Sequence, residues 1–167
     1  MTENNFRKTN LEEIEIYNAS DDDIEFLSEV YYSTRFEEFS SFGWSEAQIR
    51  NLLEMQFNVQ KQAYSFQFPE AESLIICKNK EKIGRIIINR TTTELRLVDI
   101  SLLPQFRNFG IGTKLITDLS KEATDKKLPL SLRVAQNNQA AFRLYQKLGF
   151  QVTDENEMYI SMKWQNF

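Results

Sequence analysis

The 167-residue sequence contains no histidine. That absence removes the Ser-His-Asp triad, the Cys-His pair and every imidazole metal site, and no metal is expected. Acid–base chemistry must fall to carboxylates, tyrosine, lysine, backbone groups or water. A single cysteine, Cys77, allows no internal disulfide and lies in the apolar run "LIICK", where a small buried core residue is expected. No apolar run approaches the roughly 20 residues of a membrane span, and no signal peptide is recognisable, so a cytoplasmic setting without membrane contact is expected. The net charge of −4 lacks the basic excess of a general nucleic-acid binder, although it leaves room for an isolated basic pocket. With three prolines and five glycines there is no linker and no repeat. One domain over residues 1–167 follows, long enough to bury about 70% of its unfolded surface.

What is present reads as alternating strands and helices. Residues 1–10 are polar and aperiodic, expected as a loose terminus ahead of an ordered core at about 13–164. "EIEIYNA" alternates as a strand. Ser20 followed by Asp21, Asp22 and Asp23 opens a helix running to about Phe36. Ser45 and Gln48 form a capping box for a second helix, to about Tyr64. "SLIICKN" and "IGRIIINR" make a hairpin, and "ELRLVDISLL" a further strand. A helix from Gly110 to about Lys126, the strand "LPLSLRVA", a helix ending at Gly149 and the strands "QVTD" and "MYISMKW" complete the order β-α-α-β-β-β-α-β-α-β-β. The fold class is α/β, a single mixed sheet of about seven strands with helices on both faces.

The stretch "PQFRNFGIGTKL" concentrates two of the five glycines, Gly110 and Gly112, behind Arg107 and at a helix start. A Walker A loop would require Lys and Ser/Thr directly after the last glycine, and Thr113 and Lys114 stand there instead. A dinucleotide fingerprint would require glycine where Leu115 stands. Free N–H groups with the positive dipole end behind them still suit an anion, and Arg107 adds charge. A tight turn with no ligand is the other reading of the same residues.

The second constellation, "VAQNNQAAFRLYQKLGF", fixes Asn138, Ala141, Leu144, Tyr145, Gly149 and Phe150 in spacing. With the Arg-x-x-Gly-x-Gly loop and the intervening strand, it resembles the GNAT superfamily of N-acetyltransferases, over roughly residues 13–164. The resemblance implies acetyl-CoA as acyl donor, its pyrophosphate on the amides of Asn108, Phe109, Gly110, Ile111, Gly112 and Thr113, with Arg107 at the entrance. It implies that the pantetheine arm pairs with the backbone of Ile100, Ser101 and Leu102, like an added strand. It implies a cofactor contact for Asn138, which also reads as a plain helix cap. It implies a proton donor to the leaving thiolate in Tyr145, which also reads as a core side chain.

Some members carry a glutamate base five residues before the asparagine, where this chain has Arg133, which accepts no proton. Glu94 and Asp99 on the preceding strand and a water chain remain as bases. Alternation sets Glu94 with Arg96, Val98 and Ile100 on the face that meets substrate in relatives, and Asp99 on the other. The resemblance implies a small-molecule amine or a peptide as the acceptor. Aromatics from Tyr31 to Trp44, with Glu37 and Glu38, read either as its pocket or as core and solvated surface; Gln56 and Gln60 face the cleft or water. The missing glutamate keeps a non-catalytic acyl-CoA-binding module open as the alternative, and since relatives often pair through their late strands the resemblance leaves a homodimer open.

Overall fold

The computed structural model describes residues 13–166, so the expected loose terminus at 1–10 lies outside the described residues. Strands β1 (Ile14–Asn18), β2 (Glu72–Lys78), β3 (Glu81–Arg90), β4 (Leu95–Leu102), β5 (Leu130–Ala135), β6 (Gln151–Glu155) and β7 (Tyr159–Trp164) form one sheet. Helices α1 (Ile24–Ser40), α2 (Glu46–Gln67), α3 (Ile111–Lys126) and α4 (Gln139–Lys147) complete the expected order. The strands lie as β1-β2-β3-β4-β5-β7-β6, and only β4 and β5 pair in parallel. A parallel pair needs a long crossover, which α3 supplies.

Each helix stripe selects a sheet face. Ile111, Leu115, Ile116, Leu119 and Ala123 recur at helical spacing along α3 and bury against Ile86, Ile88, Leu95, Leu97 and Leu130. Across the sheet, Leu27 and Tyr31 of α1 and Ile49, Leu53 and Phe57 of α2 close over Ile75 and Cys77. A fully buried side chain of this size contributes about 1.5–3 kcal/mol, so these stripes fix which way each helix faces. No helix among the described residues is long and apolar enough to cross a membrane.

Two helices run past their sequence-expected ends, α1 from Phe36 to Ser40 and α2 from Tyr64 to Gln67. No residue that breaks a helix intervenes in either stretch, and α2 stops just short of Pro69, as the residue before proline disfavours helix. The acids after Ser20 also divide their roles. Asp21–Asp23 form a single 3-10 turn, and Asp23 is buried, 2.5 Å from Lys82 Nζ on β3.

The most consequential departure is in β4. Ile87 pairs with Asp99 and Ile88 with Leu97, so Val98 is an extra residue, a β-bulge. Simple alternation fails beyond it. Glu94 and Arg96 share the α1/α2 face with Asp99 and Ser101, whereas Leu95, Leu97, Ile100 and Leu102 face α3 and α4. The expectation that Ile100 and Glu94 share a face, with Asp99 opposite, is therefore corrected.

Candidate active site

Toward its C-terminal end β4 loses one neighbour. It pairs with β3 as far as Leu102 but with β5 only over Leu95–Leu97, opposite Leu130–Leu132. Arg133 to Ala135 continue on β7 instead. The sheet thus splits beyond Leu97, and among the described residues the β5-facing edge from Val98 to Leu102 has no strand beside it. The expected backbone positions Ile100, Ser101 and Leu102 lie on that edge.

The glycine loop stands at the mouth of the split. After a 3-10 turn at Pro104–Phe106, Asn108 and Gly110 take positive φ angles of 65° and 83°, and Gly110 is the N-cap of α3. Lys114 N–H is the first to bond within the helix, to Gly110 O at 3.0 Å, and no side chain caps Gly110. The amides of Ile111, Gly112 and Thr113 are the orphan donors of the helix start. A Cβ added at Gly112 would meet nothing within 4 Å, and its φ is not positive, so neither packing nor dihedral calls for glycine there. The bare space fits a ligand that approaches the amides closely. Arg107 Nε donates to Leu102 O at 2.9 Å, tying the loop back to the strand end. Phe109 is half exposed beside it.

Behind the split stands α4. Asn138 Oδ1 accepts from Ala141 N–H at 3.2 Å, the helix-cap geometry. Tyr145 is buried among the α3/α4 core residues, its ring 5.8 Å from that of Phe150. Burial, and secondarily the charge of Asp99, pushes its phenol up to about 12. Tyr145 belongs to the α3/α4 side of the sheet and Asp99 to the α1/α2 side.

On the α1/α2 face, Asp99 is the centre of a network that the sequence reading missed. Arg85 of β3, only 6% exposed, donates to Asp99 Oδ2 from Nε at 3.1 Å and Nη2 at 2.9 Å. Ser101 Oγ donates to the same oxygen at 3.2 Å, and Arg85 Nη2 also reaches Gln60 Oε1 at 3.0 Å. Oδ1 of Asp99 has no partner among the described residues. Gln60 thus faces the sheet, as does Gln56 one turn earlier, whose Oε1 is sealed from solvent without a hydrogen bond. Tyr64, one further turn along, is raised to about 12 by burial first and Asp99 second. The available signal was Arg85 itself, a charge interrupting the apolar run Ile83–Ile88. A cation there must find a partner.

Glu94 lies elsewhere. It precedes β4, and its Oε2 accepts from Ser131 Oγ at 2.9 Å, beside the paired stretch. Six residues of strand, about 20 Å, separate it from Ile100 at the split. Arg96 is half-buried over the ring of Phe68, and Arg133 is exposed over that of Tyr159, each 5.5 Å from the ring centre. The aromatics between Tyr31 and Trp44 divide: Tyr31 is core, while Phe42 and Trp44 are exposed at the α1–α2 turn.

Residues 29–150, well over half of the chain, match the acetyltransferase (GNAT) family model. A thialysine N-epsilon-acetyltransferase of Mus musculus is 36% identical over 76 residues, 45% of this chain and 45% of that protein. A ribosomal-protein alanine N-acetyltransferase of Haemophilus influenzae is 32% identical over 88 residues, 52% of this chain and 60% of that protein. The chain therefore matches about half the length of these curated relatives. Among solved structures, the PaiA N-acetyltransferase of Thermoplasma acidophilum in complex with coenzyme A superposes with a TM-score of 0.68 at 23% identity, covering 92% of this chain and 99% of that one. A GNAT acetyltransferase of Elizabethkingia anophelis with acetyl-CoA bound gives 0.60 at 18% identity, with 92% and 99% covered. At these identities the structural likeness is one of fold. Taken with the family match, it places this chain in the acetyltransferase (GNAT) family.

Proposed function

We propose that the protein is an acetyl-CoA-dependent N-acetyltransferase that acetylates a primary amine of a small molecule or peptide by direct attack. The observation that carries this reading is the split between β4 and β5, with uncapped amides at its mouth and Asp99 and Tyr145 on its two sides. The amides of Ile111, Gly112 and Thr113 hold the pyrophosphate of the donor, assisted by Arg107. The free edge of Ile100 to Leu102 takes the pantetheine arm as an added strand. The bound donor supplies an activated acetyl group as a thioester.

The chain's own residues then manage one proton. An alkylammonium with a pKa near about 10 must lose a proton before its nitrogen attacks. Asp99 suits this role: Arg85 and Ser101 fix one oxygen, leaving the other to accept the amine N–H and pass its proton to water. Glu94 is set aside as base because of its distance from the split. Tyr145 keeps its proton across the working pH range and points that donor at the departing sulfur. A thiol near about 8.5 is the stronger acid, so Tyr145 stabilises the thiolate by hydrogen bonding, and bulk water returns the proton.

Calorimetry with acetyl-CoA followed by thiol release over an amine panel tests the reading. Binding with amine-dependent thiol release is expected. Absence of binding removes it, and binding without release for any amine favours a non-catalytic acyl-CoA-binding module.

A further inference from the structure

Arg35, Arg50, Arg85 and Arg90 each have a carboxylate partner. Arg96, Arg107, Arg133 and Arg143 have none among the described residues, and of these Arg96 and Arg133 are diagonal neighbours on the α1/α2 face, since Arg96 pairs in register with Ser131 and Arg133 lies two residues on. Each guanidinium has an aromatic ring against it, Phe68 for Arg96 and Tyr159 for Arg133. A ring supplies attraction but no in-plane acceptor, so the N–H edges stay available. Arg133 is exposed, and no nitrogen of Arg96 is sealed from solvent without a partner. Glu94 eases the charge of Arg96 without forming an ion pair, its Oε2 being held by Ser131.

We infer that Arg96 and Arg133 bind an anionic group carried by the acceptor itself, so that the substrate is an amine bearing its own carboxylate, of amino-acid type. This deepens the acetyltransferase reading and rests on it. Asp99, the next residue of β4 on this face beyond the bulge, takes the amine end. Arg96, the preceding residue of β4 on this face, and Arg133 on the neighbouring strand take the other. The face therefore offers a carboxylate and two further guanidinium groups on adjoining strand positions, and the planar fork of guanidinium matches carboxylate. A diamine would press its second ammonium against two arginines. The residue that replaces the glutamate base of other family members becomes, in this chain, a specificity-determining residue. Burial lowers the pKa of Arg96, Glu94 opposes that shift and Arg133 adds to it.

Matched pairs differing only in the carboxylate decide the matter: L-lysine against cadaverine, L-ornithine against putrescine, and L-phenylalanine against phenethylamine. In at least one pair, kcat/KM is expected to be tenfold or more higher for the carboxylate member. Arg133→Gln, at an exposed position, is expected to abolish that preference by raising KM for the carboxylate member. Its Kd for acetyl-CoA should equal that of the unsubstituted protein. Equal or faster turnover of the carboxylate-free amines overturns the inference, as does a preference that survives in Arg133→Gln and Arg96→Gln together. Acetyl-CoA binding with no carboxylate-bearing amine turned over also overturns it. Absence of acetyl-CoA binding removes the acetyltransferase reading and this inference with it.

Discussion

Arg85 sets Nε and Nη2 against a single carboxylate oxygen of Asp99, at 3.1 and 2.9 Å. The ion pair bridges β3 and β4 one residue past the bulge, where the sheet begins to open. Removing Arg85 alone, as Arg85→Met, leaves the carboxylate without its partner and is expected to cost about 3 kcal/mol in urea unfolding. The double variant Arg85→Met with Asp99→Leu should recover most of that stability while lacking turnover. A double variant as unstable as the sum of its singles would show that the pair has no such coupling.

Gly112 and Gly110 should respond to alanine with opposite signs. At Gly112 an added methyl has free space and an ordinary helical backbone, so Gly112→Ala should stabilise by about 0.8 kcal/mol. The same methyl fills open space at the helix start, and acetyl-CoA affinity should fall tenfold or more. Gly110→Ala, at φ 83°, should destabilise by about 1 kcal/mol. Thermal unfolding and calorimetry on both variants read the two effects separately; unchanged affinity in Gly112→Ala argues against the loop as the pyrophosphate site.

Tyr145→Phe keeps the ring that packs against Phe150 and removes only the hydroxyl. With an acceptor in hand, kcat should fall about 10²- to 10³-fold with little change in KM for acetyl-CoA. Glu94→Gln, by contrast, should leave the pH–rate profile in place. A profile that loses its acidic limb in Glu94→Gln would return Glu94 to the role of base.

Stability should fall at both ends of the pH scale, for different groups. The Asp23 carboxyl is lowered to about 2 by its hydrogen bond from Lys82, and that of Glu122 to about 2 by Arg90. Both are depressed below their unfolded values, so their contribution is complete above the ordinary carboxylate range and is lost as pH falls toward 2. Tyr64 and Tyr145 are raised to about 12, so their contribution is complete below pH 10 and is lost as pH rises from 10 to 12. Urea midpoints across pH should show both losses, and Tyr145→Phe should soften only the alkaline one. An alkaline loss unchanged in Tyr145→Phe would count against its burial in the protonated form.

Much of this arrangement was written in local pattern. The stripe of α3, the capping box at Ser45 and Gln48, and the left-handed stop at Gly149 (φ 96°) depend on residues within a turn or two of each other. Such interactions can be read along the chain because they are made along the chain. The loop at Gly110 and Gly112 was legible for the same reason.

The faces of β4 were not legible, because the bulge at Val98 exists only in its register with β3. Arg85 and Asp99 are fourteen residues apart, and Arg96 and Arg133 thirty-seven; neither separation leaves a periodic trace. The amino-acid sequence by itself determined the elements, their order and the bare helix start, since propensity, capping and hydrophobic spacing act locally. Tertiary structure alone decided on which face of β4 each carboxylate lies and which arginines lack an ion pair among the described residues, since strand register and burial are set between segments that meet only when the sheet has formed.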